Sequence, residues 1–171
     1  NTGTLTNAGT VASLVQNTNA AATTTNTGTI TGAVDLDTGS VTQTGATASM
    51  GATDAAAGTT LAVNDGNVGA VTTAGTTNIG NDDAVAATAT SLAVTAGTTT
   101  VGTDGIVTGD TTTLAGSTVN SAGTLNTVSS NAGTLNVTAG SAGAITNTGT
   151  LTNAGTVASL VQNTNAAATT T

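Results

Sequence analysis

In 171 residues the chain has no lysine, arginine, histidine, cysteine, proline or aromatic residue, and a single methionine. Each absence closes a class of function. Without His, Cys or Lys there is no ordinary neutral-pH base, no thiol nucleophile and no Schiff-base amine, and zinc, copper or haem sites built on imidazole or thiolate cannot form. A non-enzyme is the expectation. Nucleic acid is a poor partner, because phosphate binding needs cations to release counterions and base stacking needs rings. No apolar run approaches the ~20 residues of a membrane helix, so membrane insertion is not expected. Lack of cysteine leaves the redox compartment unread and is compatible with secreted or surface life. The first residue is Asn and no basic, then apolar, leader precedes it, so a processed chain or an internal piece is expected. The hydrophobic 37% is mostly Ala, Val and Leu. Without large rings, a thin core one side chain deep and repeated along an axis suits such residues better than a broad globular core.

What remains is strongly patterned. Apolar residues recur at i and i+2, as Val34 and Leu36, Leu61 and Val63, Leu92 and Val94, and Leu135 and Val137. That period of two means strands. Thr and Val favour extended backbone, while Gly and Asn supply turns every few residues. The Ala-rich "NAAATTT" at 19–25 is too short and too rich in Thr to nucleate a helix. Cassettes of one type recur, among them "NTGTLT" at 1, "NAGTVA" at 7, "NTGTIT" at 26, "SAGTLN" at 121, "NAGTLN" at 131 and "SAGAIT" at 141. Short strands with a turn every six to ten residues suggest a winding coil. The fold expected is all-β, a right-handed parallel β-solenoid in which stacked coils enclose a file of Val, Leu and Ile.

The 25 residues at 1–25 are repeated without change at 147–171, an offset of 146. If two ten-residue cassettes make a coil of about 20–21 residues, that offset is close to seven coils, advancing roughly 34 Å at a strand spacing of ~4.8 Å. Six coils of about 24 or eight of about 18 also divide the period tolerably. A solenoid must cover its open ends, and neither repeated end reads as a cap. Residues 1–171 are thus expected to be a single solenoid segment, a window of a longer tandem array; the rival is a chain whose matching ends stack head to tail into a filament. Self-association, with lateral bundling also open, is the partner expected. A functional amyloid of separately stacked chains shares much of the composition.

Three groups of residues invite chemistry. "VDLDTGS" at 34–40 has the hydrophobic-Asp-Thr-Gly-Ser form in which an aspartic protease presents a carboxylate, but that chemistry needs a second Asp at close range. The chain offers only "NDG" at 64–66 and "TDG" at 103–105. A strand ending in a Gly turn is the plainer reading. All eight acids are Asp, lying between residues 35 and 110. With Val34 and Leu36 inward, Asp35 and Asp37 point outward about 7 Å apart. Their countercharge must come from solvent, and oxygen-only ligands suit calcium. Asp35, Asp37, Asp82 and Asp83 are the candidate calcium ligands; "GNDDA" at 80–84 is faintly like a calcium-binding nonapeptide repeat but lacks its Gly-Gly-x-Gly-x-Asp pattern. The alternative is a solvated acidic band. Finally, "TLT" at 4–6, "TIT" at 29–31 and "TAT" at 88–90 place Thr pairs on one strand face. Stacked Thr pairs are how some antifreeze solenoids meet ice, but Thr is so frequent that these pairs do not stand apart from β-favouring surface residues. The sequon "NVT" at 136–138 carries no weight.

The phrases "GTLTNAGTV" and "NAGTLNVTAGSAGAI" resemble the repeat regions of large bacterial surface proteins, the autotransporter passengers and filamentous-haemagglutinin-like adhesins. The resemblance implies a secreted or cell-surface bacterial protein whose parallel β-helix serves as fibre, adhesin stalk or biofilm-matrix filament. The functional expectation is a structural protein acting by strand stacking and protease resistance; the alternative is a calcium- or ice-binding surface.

Overall fold

The structure, a computed structural model, describes residues 1–161 and 168–171. Residues 162–167, part of the closing repeat, lie outside the described residues. The described residues form no helix and wind into a parallel β-solenoid of about 9 turns. Each coil contributes one short strand to a ten-stranded sheet and then one longer or two short strands to a twelve-stranded sheet. Every strand pairing is parallel and joins neighbouring coils, for example Thr60–Val63 with Thr76–Ile79.

Alternation explains the strands. In Thr60–Val63, Leu61 and Val63 are buried while Thr60 and Ala62 face outward. The pairs Val34 and Leu36, Leu92 and Val94, and Leu135 and Val137 likewise all point inward. Leu61, Val41, Leu135 and Leu151 from one sheet meet Ile30, Val68, Val107 and Leu125 from the other in one continuous file. Burying each such side chain contributes roughly 1.5–3 kcal/mol. The Ala-rich stretch at 19–25 makes a turn and enters the strand Thr23–Asn26.

The coil is shorter than the cassette spacing suggests, about 18 residues where 20–21 was expected. Gly123, Gly133 and Gly143, evenly spaced in the sequence, do not mark halves of a coil. Gly123 stacks on Gly105, Gly133 on the turn at Leu114 and Ser117, and Gly143 on Asn126, at three different places around the coil. Along the ten-stranded sheet the register runs Thr4, Thr23, Ser40, Thr60, Thr76, Thr98, Thr118, Thr134, Thr150. These eight steps, unequal in length, lead from Thr4 to its own counterpart in the closing repeat, Thr150. One sequence period is therefore eight whole coils, not seven.

Where both are described, the two copies of the repeated segment share their pairing in the ten-stranded sheet. Thr4 pairs with Thr23 as Thr150 pairs with Thr169, and Thr23 Oγ1 and Thr169 Oγ1 lie 3.5 Å from the partner hydroxyl in each. Asn1 Nδ2 donates to Thr23 O and Thr24 Oγ1; one period later, Asn147 Nδ2 donates to Thr169 O and Thr170 Oγ1. In the interior copy the Asn147 Oδ1 also accepts Asn131 Nδ2 at 2.8 Å.

Where the apolar file is interrupted, amides take its place. Asn7 Nδ2 donates to Asn26 Oδ1 at 2.8 Å, and Asn26 Nδ2 to Gln43 Oε1 at 3.1 Å. The Gln43 Nε2 then reaches the carbonyls of Asp65 and Asn67. Such a ladder satisfies buried polar groups coil by coil.

Candidate functional site

The two sheets present different surfaces. Two outward positions alternate with inward ones along each short strand of the ten-stranded sheet. The first is occupied in successive coils by Thr4, Thr23, Ser40, Thr60, Thr76, Thr98, Thr118, Thr134, Thr150 and Thr169, a hydroxyl at all ten described rungs. The second holds Thr6, Thr25, Thr42, Ala62, Asn78, Thr100, Asn120, Asn136 and Thr152. Rungs stand ~4.8 Å apart and the two columns about 7 Å apart. No pairing in this sheet shifts register, whereas the other sheet shifts between Ala89 and Leu92, Val107 and Asp110, and Val128 and Asn131. Among the described residues, the hydroxyls of Thr60, Thr76, Thr98, Thr118 and Thr134 make no hydrogen bond within the protein.

Of the sequence-derived Thr pairs, only that at 4–6 lies on this face; those at 29–31 and 88–90 belong to the twelve-stranded sheet. The corresponding outward column there runs Thr10, Thr29, Ser49, Asn67, Thr88, Ile106, Thr124, Ser141, Thr156 and is broken by Asn and Ile.

All eight acids lie off the ten-stranded sheet. Asp35 is exposed between buried Val34 and Leu36, as the alternation requires, and Asp37 is exposed in the turn that follows. In register with Asp35 on the next coil is Asp54, and both line a shallow open groove of about 380 Å³ with Ala33, Ala52, Ala70 and Thr72. Asp82 and Asp83 sit in the loop between Ile79 and Ala87, not near Asp35 or Asp37 in the coil sequence. Asp82 adopts a left-handed conformation, φ 64°, and is held there by the next coil. Its N–H donates to Asp104 Oδ1 at 2.8 Å, and its Oδ1 accepts from Thr103 N at 2.6 Å.

Other acids act in the same way. Asp83 accepts from Val85 N, Asp65 from Gly45 N, and Asp110 from Ser129 N and Ser129 Oγ. Five of the eight carboxylates thus tie down backbone N–H groups, four of them in turns or loops, a structural use that the sequence reading passed over. The signal available was their position beside Gly and Asn, where an Asp side chain substitutes for a missing backbone acceptor. Among the described residues, no group of three or more metal-ligating side chains of the His, Cys, Asp or Glu type converges. The protease-like Asp37 stands in a turn entering the ten-stranded sheet, and Asp65 and Asp104 in turns leaving it, so no pair of carboxylates forms from those three.

Asp35 and Asp54 provide a direct test of the calcium reading. Like charges facing each other on adjacent strands cost about 0.2–1 kcal/mol, so Asp54→Asn is expected to raise the urea midpoint by a corresponding amount with calcium present or absent. A midpoint that falls on substitution, in calcium only, would instead mean that the two carboxylates share a cation.

No protein-family model, curated protein or solved structure matches the chain.

Proposed function

We propose that this chain is a length of an extracellular structural fibre, a solenoid stalk or matrix filament of bacterial origin, in which the unit between the two copies of the repeated segment recurs. The observation that carries this reading is the coincidence of sequence period and coil number. A sequence period that corresponded to a fractional number of coils would place the repeated segment at a different corner and on a different neighbour. Eight whole coils return it to the same corner with the same strand partner. Repetition then extends the rod without a defect, and each added coil satisfies the backbone groups of the one before. The phrases shared in type with bacterial surface repeats supply the cellular setting.

The role is mechanical and not catalytic. Lysine, arginine and aromatic residues, the preferred cleavage sites of trypsin-like and chymotrypsin-like proteases, are absent, which suits an exposed rod. Self-association is the partner relation, covalent in a tandem array or non-covalent end to end.

Electron microscopy of the purified native material tests the proposal. The expected result is uniform filaments with an axial repeat of about 38 Å, eight coils at ~4.8 Å. Denaturing electrophoresis of the same filaments separates a covalent array, which stays long, from stacked chains, which fall apart. Short particles that never elongate, with no long covalent species, would overturn it.

A further inference from the structure

The geometry points to the hydroxyl face of the ten-stranded sheet as a binding surface for ice. The array has four properties that a crystalline water surface requires and an ordinary wet β-surface does not. Its rungs repeat at about 4.8 Å along the axis and its two columns stand about 7 Å apart, spacings comparable to those between oxygen rows on the faces of hexagonal ice, with Thr at five of the nine paired rungs of the second column and Ala62, Asn78, Asn120 and Asn136 at the others. Its first column is unbroken, a Thr or Ser hydroxyl at every described rung from Thr4 to Thr169. It is stiff, because the β-branched side chain restricts χ1 and no register shift interrupts the sheet beneath it. It carries no ionisable side chain, since all eight Asp lie elsewhere.

The last property identifies the partner. A fixed charge gathers its own hydration shell, and ice excludes ions; a neutral partner with a regular array of hydrogen-bonding oxygens is what this face complements. Hydrogen bonds of surface hydroxyls to liquid water and to ice differ little one by one, so recognition depends on many in step. A preorganised row lowers the entropic cost of ordering each bound water, and rigidly linked sites act together. The methyl group of Thr beside each hydroxyl fills space between water rows without a competing hydrogen bond.

Composition does not explain the arrangement. Thr is abundant on both sheets, yet the twelve-stranded sheet breaks its column with Asn67 and Ile106 and places Val15, Asp35 and Asp54 in the next. β-Propensity acts on both sheets alike; the unbroken hydroxyl column is on one. The inference does not rest on the fibre reading, because a single short rod presents the same face.

The test is the shape of a single ice crystal and the thermal hysteresis measured in a solution of the purified chain. The wild type is expected to facet the crystal and hold it below the melting point. Thr76→Tyr with Thr98→Tyr places two large rings in the middle of the array and is expected to abolish both effects. Thr72→Tyr with Thr124→Tyr places two rings at separate points on the outer face of the other sheet and is expected to leave both intact. Far-UV circular dichroism and the urea midpoint establish that each variant is folded; should the first pair misfold, Thr76→Lys alone replaces it. Wild-type protein that leaves the crystal rounded, or equal loss in both pairs, overturns the inference. So does binding to microcrystalline cellulose with no effect on ice, which would assign the face to a crystalline polysaccharide. Filament formation is read separately by microscopy, so failure here leaves the fibre proposal where it stands.

Discussion

Gly97→Val is expected to disrupt the solenoid from its middle. Gly97 has φ +67°, and a Cβ there would overlap the carbonyl oxygen of Gly75 on the preceding coil. Two penalties combine. Holding a β-branched residue in the left-handed region costs of order 1–3 kcal/mol, and forcing a side chain against neighbouring backbone costs about 1–3 kcal/mol more. The second penalty has nowhere to relax, since moving Gly75 presses on the coil beyond it. In a molecule stabilised by nearest-neighbour stacking, such a break uncouples the coils on either side. The expected measurement is a two-phase urea transition with a total loss of about 2–6 kcal/mol. Gly116 is the control, with φ +86° but open space around its Cβ position. Gly116→Val carries the conformational penalty alone, roughly 1–3 kcal/mol. Equal losses at the two positions would mean that coil-to-coil contact is not what makes Gly97 necessary.

The second large effect concerns a polar residue. Asn26 is fully buried, with 0% exposure. Its Nδ2 donates to Gln43 Oε1 and Ser49 O, both at 3.1 Å, and its Oδ1 accepts from Asn7 Nδ2. Asn26→Ala removes the middle of the ladder. Asn7 Nδ2 keeps Thr29 O, but Gln43 Oε1 loses its amide donor. A buried polar group left unpaired costs about 1–3 kcal/mol, and the vacated amide adds a cavity. A loss of roughly 3–5 kcal/mol is expected, comparable to truncating a core leucine. Hydrogen exchange should localise it, with protection falling in the first three coils and holding beyond Thr60. Asn78→Ala, on the outer face of the same sheet, is expected to change stability by less than about 0.5 kcal/mol. A midpoint for Asn26→Ala within that range would refute the view that amides substitute for the apolar core here.

The same contrast between inside and outside separates what is legible in the sequence from what is not. The strands are legible at Val34 and Leu36, Leu61 and Val63, and Leu135 and Val137, because a period of two with a β-branched background has one physical meaning. Absence of rings determined the thin core, and absence of His, Cys and Lys removed imidazole, thiol and amine groups from these residues, since those are properties of side chains wherever they fall. The unchanged repeat at 1–25 and 147–171 determined that a 25-residue segment recurs 146 residues on.

Other features needed the coils to be wound. The number of coils in a period was not legible, because the even Gly spacing at 123, 133 and 143 is a sequence regularity with no single place on the coil. The acids were legible as outward-facing at Asp35, but not as backbone clasps at Asp82 and Asp104, whose partners lie a full coil away in the sequence. The threonines were the least legible. In "TTT" at 23–25, whose strand holds no aliphatic residue, the outer two face solvent and Thr24 is buried. Alternation specifies that neighbours point oppositely, but where every residue is Thr the hydrophobic pattern cannot say which points in. There the stacking of Thr24 between Leu5 and Val41 of the adjacent coils decided the direction. The in-register stacking of ten such strands, which no single strand specifies, assembled a hydroxyl column on one face and left the carboxylates elsewhere.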